Sequence, residues 1–135
     1  MSDIAFEVEL NQPFEQAIER VSSALKAEGF GVLTRIDVHT TLKEKLGVDF
    51  RPYAILGACN PPLAHRALSE EPRVGLLLPC NITVEELEEG NSLVRIANPE
   101  VLMAVGDLRD NQTLIQTAQQ ARGRLEQVLA HLCSG

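Results

Sequence analysis

The chain has 135 residues, of which 44% are hydrophobic and 23% charged, and its net charge at pH 7 is −7. This length and composition are typical of one globular domain with its own core, so we predict a single domain over residues 1–135. Because 19 acidic residues outnumber 12 lysines and arginines, the charge excludes nucleic acid and acidic membrane surfaces as partners.

Three features predict a cytoplasmic protein. The N-terminus alternates acidic and apolar residues and lacks the basic and apolar regions of a secretory signal. No apolar run approaches the ~20 residues of a membrane span. The three cysteines, an odd number without framework spacing, indicate a reducing compartment.

The first predicted elements are a strand, a helix and a second strand. Residues 4–10 alternate apolar and polar side chains, as in a strand with one buried face. The helix that follows has Pro13 in its first turn, an apolar stripe at steps of three and four, and Gly29 as its end. Residues 30–38 predict the second strand.

The middle of the chain predicts two helices and two strands. A short helix ends at Gly47, and residues 53–58 predict a third strand that is apolar on both faces and therefore central. Asn60 caps the next helix. Residues 74–87 predict a long strand, in which Pro79 requires a bulge or a sheet edge because it has no N–H to donate.

The last third predicts a hairpin and a long helix. Residues 88–91 form the turn, and residues 92–97 return as a fifth strand. Asn98 begins a brief helical turn, and residues 111–132 form a helix ~33 Å long at 1.5 Å per residue. The order β-α-β-α-β-α-β-β-α predicts an α+β domain with one layer of helices on a sheet.

Two Cys-Asn dipeptides, Cys59-Asn60 and Cys80-Asn81, mark the candidate site. A parallel pairing of the third and fourth strands places the two cysteines side by side, because each lies six residues into its strand; an antiparallel pairing is expected to separate them. The hairpin, with paired positions that sum to about 179, sets Asn98 opposite Asn81. We therefore predict that these five residues bind a ligand beside two helix N-termini, whose free N–H groups favour an anion or a thiolate.

Arg51, just before the third strand, is a sixth candidate for ligand binding. Its guanidinium suits an anionic ligand, although pairing with a carboxylate such as Asp49 is the commoner role.

The histidines do not support a metal site or a hydrolase. They are scattered through the chain without metal-ligand spacing, and we predict no metal and no cofactor. A Cys-His-Asn hydrolase would need His65, which lies six residues after Cys59 on a helix face predicted to point to solvent. Glycine-rich nucleotide loops and the G-x-S-x-G motif are absent from the sequence.

The roles of Cys59 and Cys80 have two possible interpretations. Buried free thiols usually act as small hydrophobes, whereas a thiol at a helix N-terminus is activated as a thiolate. Cys133, two residues from the C-terminus, is incidental.

Two blocks of the sequence resemble a known family. They are T-L-K-E-K-L-G-V-D-F-R-P-Y-A-I-L-G-A-C-N-P-P-L-A-H-R-A-L (residues 41–68) and V-G-L-L-L-P-C-N (residues 74–81). They are similar to the bacterial and archaeal domain of unknown function family 302, and the likeness covers nearly the whole chain. The residues that match the signature are Asp49, Arg51, Pro52, Cys59, Asn60, Pro61, Pro79, Cys80 and Asn81.

The resemblance implies a compact α+β fold grouped with the TATA-box-binding-protein-like folds. Its sheet is one curved, largely antiparallel layer of about five strands with helices packed on one face, which works against a parallel third and fourth strand. It also implies a homodimer. It supplies no catalytic role, and the likeness of fold does not import DNA binding.

Three functions stay open. The first is a small dimeric binding protein with a ligand or partner site near Cys59 and Cys80. The second is a thiol-dependent enzyme or redox sensor that uses one of those cysteines. The third is a scaffold that acts through the sheet or through the last helix. The apolar stripe of that helix is more often core than coiled coil, but its near-heptad regularity leaves a dimer seam open. The sequence selects no substrate and no reaction.

Overall fold

Five antiparallel strands form one open sheet. A computed structural model describes residues 4–134, apart from the side chain of Glu89. The strands are β1 (Ala5–Leu10), β2 (Gly31–Asp37), β3 (Tyr53–Cys59), β4 (Cys80–Glu86) and β5 (Ser92–Ala97). Their order in the sheet is β1-β5-β4-β3-β2, and every neighbouring pair is antiparallel. The predicted α+β fold with an antiparallel sheet of five strands is confirmed.

Three helices lie in connections between strands, and two follow the last strand. They are α1 (Phe14–Ala27), α2 (Val38–Leu46), α3 (Pro61–Glu70), α4 (Pro99–Leu102) and α5 (Gln112–Cys133). Gly47, with φ of 69°, ends α2 in the left-handed conformation that its position in the sequence predicts. Within residues 4–134, none of the helices is long and apolar enough to cross a membrane.

One face of the sheet carries the main core, because side chains alternate between the two faces along each strand. Ala54, Leu56 and Ala58 of β3 face the same side as Ile82 and Val84 of β4, and each is at most 1% exposed. Helices α1 and α5 cover this side, and burial of each large aliphatic side chain contributes about 1.5–3 kcal/mol. The buried residues of α1 are Phe14, Ala17, Ile18, Val21, Ala24 and Leu25.

The apolar stripe of α5 is used entirely inside the domain. Its buried residues are Leu114, Thr117, Ala118, Ala121, Leu125, Val128 and Leu132. The C-terminal half packs in the main core, whereas Leu114 and Ala118 belong to a second apolar cluster with Ala67, Val74 and Met103. The interpretation of this stripe as core is therefore confirmed, and the alternative of a dimer seam along it is wrong.

The long strand predicted over residues 74–87 begins only at Cys80. The residues before it form a 3₁₀ turn, Pro72–Leu77, in which Val74 is fully buried. An apolar run does not distinguish a buried strand from a buried helical turn. Here the second apolar cluster takes the side chains, and partly buried Leu77 and Leu78 pack against it.

The same turn reverses the expected direction of β4. Helix α3 packs against the 3₁₀ turn as a short helical hairpin, which returns the chain to the end of the sheet where β3 stops. The next strand therefore starts at that end and runs antiparallel to β3. The parallel alternative for these two strands, which the sequence had left open, is therefore wrong.

Candidate functional site

The antiparallel register still brings the two central cysteines together. Ala58 pairs with Cys80 across β3 and β4, and Cys59 is the next residue of β3. The end of one strand thus meets the start of the other. The expectation that antiparallel strands would separate the cysteines is wrong, because it assumed a fourth strand that starts at Val74.

Asn98 also lies at this end of the sheet, one residue away from its predicted register. Ile82 pairs with Ile96 across β4 and β5, so the same register carried two residues further sets Asn98 level with Cys80 instead of Asn81. The short helix α4 starts from this point.

The start of α3 offers no free main-chain amide. Its first two residues, Pro61 and Pro62, have no N–H to donate. The N–H of Leu63 donates to the Asn60 side-chain carbonyl (3.3 Å), and the N–H of Ala64 donates to the Asn60 backbone carbonyl (2.9 Å). Asn60, 7% exposed, therefore acts as a helix cap.

The start of α4 is closed in the same way. Pro99 lacks an N–H, and the N–H of Glu100 donates to the Asn98 side-chain carbonyl (3.1 Å). The N–H groups of Val101 and Leu102 both donate to the Asn98 backbone carbonyl (3.2 Å). The prediction that free amides at these two helix starts favour an anion is therefore wrong.

What the end of the sheet does provide is a cavity of about 310 Å³, which we call the apolar cavity. It lies where the main core meets the second apolar cluster. Its walls come from β3, β4, α3, α5 and the chain around α4. The lining residues are Phe30, Leu33, Ala58, Cys59, Asn60, Leu63, Ala64, Ala67, Leu68, Leu78, Pro79, Cys80, Pro99, Met103, Leu114, Thr117, Ala118 and Ala121.

The polar side chains of this lining are few, and the two that are not thiols are already bonded. Asn60 caps α3, and the Thr117 hydroxyl donates to the Thr113 backbone carbonyl at 2.7 Å. Cys59 and Cys80 are free and partly buried. The cavity therefore presents carbon and sulfur to whatever enters it.

The electrostatics at Cys80 favour a neutral thiol. Burial raises the pKa of Cys80, and the neighbouring Cys59 raises it further, because a second thiolate would repel the first. Such a thiol is a poor nucleophile at neutral pH.

The exposed rim of the cavity is formed by two leucines. A register shift in β2 between Val32 and Thr34 marks a bulge at Leu33, which is 66% exposed. Leu68 of α3 is 40% exposed. Leucines on the rim make the entrance as apolar as the interior.

Asn81 and Arg51 do not line the apolar cavity. Asn81 is exposed and pairs with Gly57. Arg51 lies at the opposite end of β3, where its Nε is 2.5 Å from a carboxylate oxygen of Glu85. Its partner is Glu85 and not Asp49, which pairs with Lys43 (2.9 Å).

Glu85 is 4% exposed, although it lies on the open face of the sheet away from the helices. Burial raises its pKa, but hydrogen bonds from Arg51 and Arg95 lower the pKa more, so that the net shift is downward. Arg95 also binds Glu7 at 2.7 Å. This network ties β1, β3, β4 and β5 together and is structural.

The three histidines lie outside the apolar cavity. His65 is exposed on α3, as predicted, and does not line the apolar cavity. His39 accepts a hydrogen bond from the Tyr53 backbone N–H (3.0 Å), and His131 is 3.2 Å from Glu28. Among residues 4–134, no three histidines, cysteines or carboxylates come together as a metal site.

Sequence reasoning missed the part of the site that other elements contribute. Ala118 and Ala121 of α5 line the apolar cavity, as do Met103 after α4 and Leu33 on the bulge. One signal was present: the stripe of α5 places two alanines where leucines would fill the space, and small residues on a buried stripe leave volume free.

Comparison with known proteins identifies a family and a related structure. The family model described as Domain of unknown function DUF302 matches residues 6–132. The chain is similar to a solved crystal structure, that of the uncharacterized conserved protein DUF302 from Bacillus stearothermophilus. The two are 33% identical with a TM-score of 0.84, over 97% of this chain and 99% of that chain. Curated proteins give no significant match.

Proposed function

This chain belongs to the family Domain of unknown function DUF302, and from that premise we propose that it is a cytoplasmic binding protein for a small, neutral, apolar molecule. The ligand occupies the apolar cavity and lies against Cys59 and Cys80.

The composition of the cavity wall carries this proposal. Most of the lining is aliphatic, and Asn60 and Thr117 already have partners inside the protein. A charged ligand would lose its hydration there without gaining hydrogen bonds in return, which costs several kcal/mol. A neutral apolar ligand instead gains about 25 cal/mol for each Å² of its surface that leaves water.

The volume limits the size of the ligand. An apolar cavity of about 150 Å³ holds benzene. A cavity of about 310 Å³ therefore suits roughly ten carbon atoms, such as two fused aromatic rings or a short branched chain.

The site does not favour a thiol-dependent enzyme. Such an enzyme needs a thiolate, which free amides, a helix dipole or a neighbouring cation would stabilise. The amides at the starts of α3 and α4 are occupied, and the pKa of Cys80 is raised. The two thiols therefore serve better as polarizable contacts to a ligand than as nucleophiles.

Ligand-induced thermal stabilisation tests the proposal. We expect naphthalene to raise the melting temperature, by the equivalent of about 2.7 kcal/mol at one hundred times its Kd. The matched anion 1-naphthoate should give little or no shift. Ala118→Leu fills part of the cavity and should remove the naphthalene shift, measured against the melting temperature of that variant without ligand. Ala130→Leu, an exposed position on the same helix, should keep the shift.

Two results would overturn the proposal. One is a larger stabilisation by 1-naphthoate than by naphthalene, which would show that the site prefers an anion. The other is an unchanged naphthalene shift in Ala118→Leu, which would place the ligand outside the cavity.

We also propose that the protein is a homodimer, and the open face of the sheet supports this. Ile36 of β2 pairs with Ile55 of β3 on that face, and Ile36 is 50% exposed. Tyr53 lies on the same face, and Phe50 contacts it with ring centroids 6.1 Å apart and is itself 39% exposed. An exposed apolar patch beside an edge strand is typical of an interface, and a second copy would cover it.

Sedimentation equilibrium tests the dimer. Ile36→Glu should convert the dimer to a monomer, because it buries a charge in the interface. Leu76→Glu is the control, since Leu76 is 87% exposed on the 3₁₀ turn and should leave the mass unchanged. A monomeric wild-type protein, or an Ile36→Glu variant that stays dimeric, would contradict this proposal.

A further inference from the structure

We propose that a groove where the end of α1 meets α3 and α5 binds a dianionic phosphate group, free or carried by a small molecule as a monoester. This groove, which we call the arginine groove, has a volume of about 640 Å³. Its lining includes Gly29, Asn60, Arg66, Gln120, Gly123 and Arg124. Of these six residues, Asn60 alone also lines the apolar cavity, so the two sites use different side chains for binding.

The groove holds two arginines whose charge is not balanced inside the domain. Five other arginines each form a salt bridge with a carboxylate: Arg35, Arg51, Arg73, Arg95 and Arg122. In the part of the chain that the structure describes, Arg66 donates from Nη2 to the Gln120 side-chain carbonyl (2.7 Å), and Arg124 donates from Nη1 to the Glu28 backbone carbonyl (3.4 Å). A guanidinium has five N–H donors, so both arginines keep most of their donors for a ligand.

Asn60 supplies a third donor from inside the protein. Its side chain is only 7% exposed, and its carbonyl oxygen accepts the N–H of Leu63. Because this bond fixes the orientation of the amide, Nδ2 lies at the opposite end, where it donates to no atom of residues 4–134. Buried donors in proteins normally have a partner. An oxygen atom of a ligand in the arginine groove would provide one.

Gly29 shows which way the Asn60 donor points. A Cβ at Gly29 would lie 3.2 Å from Nδ2 of Asn60 and 3.7 Å from Nη1 of Arg124, so the two nitrogen atoms flank the same point. Gly29 lines the arginine groove and not the apolar cavity. Arg66 reaches the same place from α3, because its partner Gln120 lies one helical turn before Arg124 on one face of α5. The three donors therefore surround one stretch of the groove.

The charges and the donor geometry select the ligand. Two guanidinium groups balance two negative charges, which a phosphate monoester carries above pH ~6, and the planar fork of arginine matches phosphate oxygens. A monocarboxylate carries one charge and leaves one arginine unbalanced. The carboxylate in the lining, that of Glu28, is 3.2 Å from His131, which lies outside the groove.

Titration calorimetry of the full chain at constant ionic strength and about pH 8 tests the proposal, with inorganic phosphate, glycerol 2-phosphate and acetate as probes. We expect one phosphate site per chain and binding of acetate that is weaker by about tenfold or more. Tighter binding of glycerol 2-phosphate than of inorganic phosphate would assign a monoester to the site. The reverse order would assign free phosphate.

Gly123 offers a variant that changes the groove without disturbing the fold. Nothing lies within 4 Å of an added Cβ at this position, and any longer side chain also favours the helix. Gly123→Glu places a carboxylate beside the arginines and should weaken phosphate binding by about tenfold relative to Gly123→Gln, its neutral control.

The arginines can be tested in the same titration. Arg66→Gln and Arg124→Gln should each weaken phosphate binding by about tenfold. Arg109→Gln is the matched control, because Arg109 is also exposed and donates only to the Gly106 backbone carbonyl, outside the groove. It should bind phosphate as tightly as the wild type.

Three results would overturn the proposal: no binding of either phosphate, acetate binding as tight as that of phosphate, or equal phosphate affinity in Gly123→Glu and Gly123→Gln. The apolar ligand is tested separately. We expect Arg124→Gln to keep the naphthalene shift and Ala118→Leu to keep phosphate binding. Loss of the naphthalene shift in the wild type with phosphate binding intact would reject the proposed function alone.

Discussion

Gly57 is the position where a single methyl group should disturb both the sheet and the cavity wall. A Cβ at this residue would lie 2.6 Å from Cγ of Pro79 and closer still to the hydroxyl oxygen of Thr34. Thr34 is the neighbour of Gly57 on β2, and Pro79 leads directly into Cys80. Gly57 is therefore a glycine because the Pro79 ring and the Thr34 side chain occupy the space of its missing side chain.

The magnitude follows from how far the neighbours must move. An ordinary van der Waals contact begins at 3.4 Å, so the Pro79 ring would have to retreat by most of an ångström. A proline ring has no rotamer with which to avoid the contact, and the backbone of residues 78–80 must shift with it. Overpacking of this kind costs about 1–3 kcal/mol. For a chain of this length that is a fall in Tm of roughly 4–12 °C.

The assay is thermal unfolding of Gly57→Ala followed by circular dichroism, with the naphthalene shift measured on the same sample. We expect the lower Tm together with weaker naphthalene binding, because Pro79 and Cys80 both line the cavity. Gly123→Ala is the matched control. Gly123 lies inside α5 with nothing within 4 Å of an added Cβ, so alanine there should stabilise the helix by about 0.5–1 kcal/mol.

One outcome would refute this reasoning about Gly57. If Gly57→Ala melts within about 1 °C of the wild type, a change worth only a few tenths of a kcal/mol, then Thr34 and Pro79 yield freely to the added methyl. The close packing of Pro79 on β3 would then not be what positions Cys80.

Three further predictions concern titratable groups. Glu85→Gln should lower the free energy of unfolding in urea by about 1–3 kcal/mol at pH 7. The pKa of Glu85 is lowered in the folded state, so its contribution to the free energy of unfolding is present above its unfolded pKa of about 4.3 and is lost as the pH falls. The difference in free energy of unfolding between Glu85→Gln and the wild type should therefore narrow at pH 3.5. A difference that stays constant with pH would contradict this prediction. Iodoacetamide at pH 7 should label exposed Cys133 at least tenfold faster than Cys80, whose pKa is raised. Peptide mass spectrometry measures both rates, and equal rates would refute the neutral thiol. The same raised pKa makes stability decline as the pH rises above about 8.5.

The local sequence pattern was sufficient to predict the helices that have a clear apolar periodicity and a clear capping residue. The apolar stripe of α1 and the α5 helix after Asn111 were predicted to within two residues. The caps at Asn60 and Asn98 were also predicted. These features depend on residues within one or two turns of each other, so the sequence contains the whole of their cause.

The sequence-based predictions were wrong where one local pattern is compatible with two kinds of secondary structure. The apolar run after Val74 suits a strand as well as a 3₁₀ turn, and only the second apolar cluster decides between them. That choice moved the start of β4 to Cys80 and reversed its direction. The expectation of free amides failed for another reason. The sequence Asn60-Pro61-Pro62 already shows that two of the first amides are missing, and the side chain and carbonyl of Asn60 bind the next two.

The sequence by itself determined the class of fold, the family resemblance and the position of Cys59 at the end of a strand, whereas it placed Cys80 inside a strand that in fact begins there. Only the tertiary structure decided what surrounds them. The apolar cavity is built from segments that lie up to 91 residues apart, from Phe30 to Ala121, and its volume is what remains after two clusters of side chains have packed. The volume of the cavity therefore depends on packing between distant segments, which the hydrophobic periodicity of a single segment does not encode.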